Sequence, residues 1–173
     1  YLGAGGLYLT RATAINCLII NNSASGISVY NACGGAKMSF DSVMINCVIS
    51  GNSGISGQAG LAMDGHGSTD MGTCWVRNSI IQGNSGYDVT VGDGALIMQN
   101  SAYGSVRGYG LTLENCLASP ALFVNAGGGD YRLEERSLLI DRGVSAYNPL
   151  ATDLAGAARV SGSAIDIGVC EYQ

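Results

Sequence analysis

Five side chains near the middle of the chain are of types that handle carbohydrate: Asp64, His66, Asp70, Trp75 and Arg77. A lyase removes the proton beside a uronate with a basic group and neutralises the carboxylate with a cation. A glycosidase instead sets two carboxyls about 5–9 Å apart, and a tryptophan ring can stack on the apolar face of a sugar. Asp70, Trp75 and Arg77 could therefore form a sugar-binding strip, with Asp64 and His66 beside it. His66 is the single histidine and lies in the run DGHGS, 64–68. As the base of a serine nucleophile it would need an orienting Asp and an oxyanion hole. No Asp-[ST]-Gly or Gly-Thr-Ser element accompanies it, so an exposed glycine-rich loop is the simpler reading. No catalytic residue can be assigned from these types alone.

A second group, Asp153, Arg159, Asp166 and Glu171, is either a carboxylate cluster with a catalytic use or an ion-paired structural network. GGGDYRLEE at 127–135 has the look of one calcium-binding nonapeptide unit, but a complete oxygen cage needs consecutive copies and there is one. No cofactor is indicated, and calcium is not supported. Zinc is disfavoured because the six cysteines include no C-x2-C pair. Cys17 and Cys47 occupy equivalent repeat positions and are expected to stack as small buried residues. The pairing of Cys33, Cys74, Cys116 and Cys170 stays open.

The elements that must carry these residues announce themselves as a repeat. INCLIINNS (15–23) returns as INCVISGNS (45–53) and RNSIIQGNS (77–85). Aligned on Asn16, Asn46, Asn78 and Asn100, the units are spaced by 30, 32 and 22 residues. Ala14, Met44, Val76 and Met98 stand two places before each Asn, and Ile19, Ile49, Ile81 and Tyr103 three places after. Alternation in a strand with one buried face produces the first column. Inward positions on both sides of the Asn require a bend there, which Asn tolerates in the left-handed region. Stacked units would lay Asn on Asn, and these four residues are expected to form a buried amide ladder. A preceding strand is expected at GLYL (6–9), GISV (26–29) and GLAM (60–63), with insertions NACGGAKMSF (31–40) and DGHGSTDMG (64–72). The fold class is all-β, a right-handed single-stranded parallel β-helix of about four coils. Positions 13, 43, 75 and 97, and 15, 45, 77 and 99, should point outward.

Composition agrees with that class. The chain has 173 residues, 27 glycines, 2 prolines and 12% charged side chains, which suits tight bends and a core within one domain. A net charge of −5 with eight Lys and Arg argues against nucleic acid. No apolar run approaches the roughly 18 residues of a membrane span. Charge density rises after residue 118: ten charged side chains precede that point and eleven follow in half the length. LENCLA (113–118) is read as lying outside the repeat, because Asn115 follows Asn100 by only 15 residues. The division is thus 1–118 for the coils and 119–173 for a C-terminal capping region of the same domain.

That capping region carries a resemblance. Asn78–Asn84, Pro120–Phe123, Gly129–Leu133, Ser137–Gly143, Asp153–Arg159 and Asp166–Glu171 follow motifs that commonly run NSII-x-GN, PLF, GDYRL, S-x-x-IDxG, D-x-x-G-x-x-R and DIGAYE. On these motifs the chain resembles bacterial surface and secreted right-handed β-helix proteins of pectin lyase-like fold. Their C-terminal region is often described as choice-of-anchor Q or polymorphic-outer-membrane-protein-like. Val169-Cys170 departs from the pattern. The resemblance implies a secreted or cell-surface protein and a structural, end-closing role for Asp153, Arg159, Asp166 and Glu171. The function it implies is an exported stalk or scaffold in adhesion or in partner or glycan binding. The alternative is the terminal section of a polysaccharide lyase or glycosidase with catalytic coils upstream. Tyr1 is not expected to be a natural free end, so a polysaccharide or another chain is an expected partner at an open N-terminal face.

Overall fold

The computed structural model describes residues 3–25, 32–63 and 72–173. Strands come in groups of three: β1 (Leu7–Thr10), β2 (Thr13–Ile15) and β3 (Leu18–Ile20), then β4 (Ala36–Ser39), β5 (Val43–Ile45) and β6 (Val48–Ser50). The same order continues with β7 (Gln58–Met63), β8 (Thr73–Arg77) and β9 (Ile80–Ile81), then β10 (Tyr87–Val91), β11 (Ala95–Gln99) and β12 (Ala102–Tyr103), and finally β13 (Val106–Gly108) and β14 (Leu111–Glu114). Each strand pairs in parallel with its counterpart in the next group. This makes a five-stranded first sheet (β1-β4-β7-β10-β13), a five-stranded second (β2-β5-β8-β11-β14) and a four-stranded third (β3-β6-β9-β12). The chain is all-β with parallel sheets, consistent with a parallel β-helix, and no α-helix occurs among the described residues.

The register places the aligned columns side by side. Ala14 pairs with Met44, Met44 with Val76, Val76 with Met98 and Met98 with Leu113. With Leu9, Met38, Met63, Val91, Ile49 and Ile81, the residues Ala14, Met44, Val76 and Met98 form one apolar core. The bend between the second and third sheets is the Asn column: Asn16, Asn46, Asn78, Asn100 and Asn115 have φ of 56, 52, 47, 46 and 52°. Left-handed backbone is tolerated best by Gly and Asn, so the column is explained by conformation.

It is not an amide ladder. Asn46 donates to Asn148 Oδ1 at 2.8 Å, and Asn78 exchanges bonds with Val144, donating to its carbonyl at 3.0 Å and accepting from its N–H at 2.9 Å. Asn16 sits between Val169 O at 3.1 Å and Leu154 N at 3.0 Å. These amides face away from the core and hold the C-terminal segment. The ladder belongs to Asn22, Asn52 and Asn84, from the Asn-Ser pair at the end of each copy. Asn22 Nδ2 donates to Asn52 Oδ1 (3.0 Å), Asn52 Nδ2 to Asn84 Oδ1 (2.9 Å) and Asn84 Nδ2 to Asp88 Oδ1 (2.8 Å). A Cβ on Gly6, Gly35 or Gly60 would lie 2.7–3.0 Å from the three Asn Nδ2 atoms, so a glycine in each unit clears the ladder's path.

Two further expectations are corrected. Residues 36–39 of the supposed insertion 31–40 are strand β4, paired with β1 as Leu7 to Ala36 and Leu9 to Met38. The partner of LYLT (7–10) is therefore AKMS; GISV at 26–29 lies outside the described residues. Nor does 113–118 stand outside the repeat. β14 pairs with β11 from Leu96–Leu111 to Gln99–Glu114, and Leu117 bridges to Ala102. The 15-residue spacing is reached because Gly108 and Gly110, with φ of 108 and 78°, turn the chain within a few residues.

Residues 119–173 do not close the end of the stack. They lie along its flank, on the outer side of the third sheet. Val48, Ile80 and Ala102 pack in one cluster with Ala121, Tyr131, Leu133, Leu139, Ile167 and Val169, and Leu18 and Ile20 join it. Gly168, at φ 118°, presses close enough that a Cβ would meet Ile80 Cδ1 at 2.9 Å, and its N–H donates to Asn78 O at 2.9 Å. The far edge of the stack is open: core-facing Leu113 is 40% exposed and Tyr109 89%. Within the segment, β15 (Phe123–Asn125) and β16 (Asp130–Leu133) form an antiparallel pair.

Candidate functional site

The outer face of the second sheet holds the two described members of the central group. On β8 the pattern alternates, with Cys74 and Val76 buried and Thr73, Trp75 and Arg77 partly exposed. Period-2 alternation sends Trp75 and Arg77 to one side, as a strand with one core-facing surface requires. Register then sets their neighbours: Trp75 lies between Val43 and Ile97, and Arg77 between Ile45 and Gln99. Trp75 is thus the aromatic centre of a shallow apolar row. Asp64, His66 and Asp70 lie outside the described residues.

Arg77 heads a polar row that runs across three strands. Its Nε donates to Gln99 Oε1 at 2.8 Å, and Gln99 Nε2 donates to Glu114 Oε2 at 2.7 Å. The guanidinium carbon stands 4.7 Å from the centre of the Tyr147 ring, a cation–π contact supplied by the C-terminal segment. Arg77 is therefore held in place on two sides. Gln99, Glu114 and Tyr147 were not singled out from the sequence. The first two occupy the outward column of the repeat and were findable from it; Tyr147 reaches Arg77 from 70 residues further along the chain, in a segment without repeat register. Parallel rows of apolar and hydrogen-bonding groups suit a ligand that is apolar on one face and hydroxylated at its rim.

The C-terminal charged group has a different environment. Asp153, Arg159, Asp166 and Glu171 are all buried. Arg159 Nη1 donates to Glu171 Oε1 at 2.6 Å, and its Nη2 donates to the carbonyls of Asp166 and Gly168. The carboxylates are spent on backbone. Asp153 takes the N–H groups of Ala157 and Glu171 at 2.8 and 2.9 Å, and Asp166 those of Asp141 and Tyr172 at 2.7 and 2.6 Å. Such saturated, water-excluded carboxylates fasten loops to one another and offer no access to a substrate. Among the described residues no group of three or more His, Cys, Asp or Glu could hold a metal ion.

Burial pushes the Glu171 carboxyl up to about 7, outweighing the Asp166 N–H and the Arg159 charge, which pull it down. The sign follows. A carboxyl raised above its ordinary 4.5 in the folded chain binds more protons there than when unfolded between pH 4.5 and about 7. Its contribution to stability is full below 4.5 and is lost as pH rises through about 7. Thermal melting should fall across that window, and Glu171→Gln should flatten the fall; a melting temperature rising through the same window in the parent chain would contradict the assignment.

The chain matches no family model, no curated protein and no solved structure.

Proposed function

We propose that the three sheets close into one right-handed parallel β-helix of four full turns and a partial fifth. On this reading the protein is an exported surface scaffold whose second-sheet face binds glycan. The supporting observation is Trp75: a partly exposed indole centred between Val43 and Ile97, with the Arg77–Gln99–Glu114 row running beside it. A sugar ring would stack on the indole while its hydroxyls meet the polar row, an arrangement that needs no catalytic group. Export, adhesion and the family resemblance belong to the same proposal and are carried by the C-terminal motifs.

Trp75 is the single tryptophan, so its fluorescence reports on this face alone. Titration with neutral and uronic oligosaccharides should shift or quench the emission saturably for at least one class. Ile97→Ser, which keeps the reporter and removes one apolar flank, should weaken binding about tenfold, equivalent to ~1.4 kcal/mol of contact. Emission that is unmoved by every oligosaccharide would remove the glycan reading, and appearance of unsaturated or reducing ends on incubation would replace it with an enzyme.

A further inference from the structure

A second surface, on the outer side of the third sheet, forms a groove of about 360 Å³ between the turns of the stack and the β15–β16 hairpin. One wall is the bend column Asn21, Gly51 and Gly83; the other is Phe123, Ala126, Gly127 and Tyr131. Its volume is at the lower end of the range in which small molecules bind. The wall is held rigid by Gln82, which fastens the crossing segment by donating to Ser119 O at 2.6 Å and accepting from Ala121 N at 2.9 Å. The Phe123 and Tyr131 rings meet edge to face with centroids 4.9 Å apart, which fixes the orientation of the aromatic side.

Three polar side chains at this groove lack protein partners. Ser50 is only 6% exposed, lines the groove, and its hydroxyl makes no hydrogen bond among the described residues. The Ser50 hydroxyl at the groove surface can therefore bond a ligand oxygen without giving up a protein partner. The Asn21 carboxamide and the Tyr131 hydroxyl also make no hydrogen bond among the described residues, and both residues line the same groove. No Asp, Glu, Lys or Arg side chain is among the lining residues. Nor does the sheet register require a hydroxyl at Ser50. Its neighbour in the same column is Ile20, which packs into the apolar cluster.

We propose that this groove is a binding subsite for one neutral, hydroxyl-bearing sugar ring. The aromatic wall takes the ring's apolar face, and Ser50 and Asn21, each able to donate and accept, take its hydroxyls. The absence of charge among the lining side chains excludes a uronate or sulfated sugar as the preferred ligand, since a carboxylate would lose hydration with nothing to replace it. The proposal does not rest on the Trp75 face, which lies on a different sheet.

The test is an amide NMR titration of the whole chain with methyl β-glucopyranoside, methyl β-galactopyranoside and N-acetylglucosamine, and separately with glucuronate and benzyl alcohol. At least one neutral sugar should move the amides of 50–51, 83 and 126–127 with a Kd of about 1–10 mM, as a single small ring allows. Glucuronate should bind at least about tenfold more weakly. Gly127→Leu should abolish the response, because a Cβ there meets only Asn125 Oδ1 at 3.9 Å and the side chain has room to enter the groove. Ser50→Ile, borrowing the residue of the neighbouring column position, should do the same with an otherwise native spectrum. The proposal is overturned if no neutral sugar moves those amides, if glucuronate or benzyl alcohol alone does, or if both substitutions leave the response intact. Shifts confined to 73–77 and 95–99 would also overturn it while leaving the Trp75 reading standing.

Discussion

Above about pH 7, where Glu171 is ionised, Arg159→Met is expected to destabilise the protein by about 3–5 kcal/mol, the cost of leaving a buried carboxylate without its partner. The Arg159 and Glu171 side chains are each 1% exposed and meet at 2.6 Å. Methionine fills much of the volume but donates nothing. Glu171 then stands unpaired, and the carbonyls of Asp166 and Gly168 lose the Nη2 that gathers them. Because those carbonyls belong to Gly168, which presses on Ile80, and to Asp166 two residues before it, the damage should localise. Hydrogen exchange should accelerate over 144–173 while the strands of the first sheet keep their protection. Adding Glu171→Gln to Arg159→Met should recover part of the loss, since a neutral amide is cheaper to bury than an unpaired charge. Uniform acceleration across all three sheets would mean that the network stabilises the whole stack and not the flanking segment.

Asn52→Ala should cost about 2–4 kcal/mol, and considerably more than Asn46→Ala. Asn52 has no exposed surface. Its Nδ2 donates to Ile19 O, Ser50 O and Asn84 Oδ1, and its Oδ1 accepts from the backbone and side-chain nitrogens of Asn22. Truncation strands several of these groups in a dry interior, each at about 1–3 kcal/mol before relaxation. Asn46 has one side-chain bond, to half-buried Asn148, and its Oδ1 is already unpaired. Its loss should cost about 1 kcal/mol, from the segment contact and from the strain of φ 52° in a residue other than Asn or Gly. Urea denaturation of the two variants settles the order. If Asn46→Ala is the more damaging, the ladder has been placed on the wrong column.

The repeat was legible because register writes itself into a sequence of parallel strands. Each inward position must match its neighbour above and below, so Ala14, Met44, Val76 and Met98 could be aligned before any coordinates. The bend at Asn was legible for the same reason. The role of that Asn was not, because a left-handed bend and a buried amide both select asparagine, and the residue type does not say which. The discriminating signal was present elsewhere: each ladder Asn has a glycine against its amide, at Gly6, Gly35 and Gly60. Spacing misled twice. Loops vary without penalty on a surface, so a long interval concealed β4 and a short one concealed β14. The position of 119–173 was the hardest to read. Leu18, Val48 and Ile80 look like outward positions with an apolar bias, and only their packing against Ile167 and Val169 explains it. On the second-sheet face, alternation correctly sent Trp75 and Arg77 outward, whereas Tyr147 reaches Arg77 from outside the repeat.

The position of residues 119–173 decides which faces of the stack are covered and which are free to bind. Methyl-to-methyl NOE spectroscopy on Ile-, Leu- and Val-labelled protein measures this directly. Cross-peaks are expected from Ile80 and Val48 to Ile167 and Val169, together with contacts from Ile80 to the Gly168 α-protons. Leu111 and Leu113 should show none to that segment. Cross-peaks joining Ile165, Ile167 or Val169 to Leu111 and Leu113, with Ile80 and Val48 silent, would place the segment over the end of the stack and contradict the account.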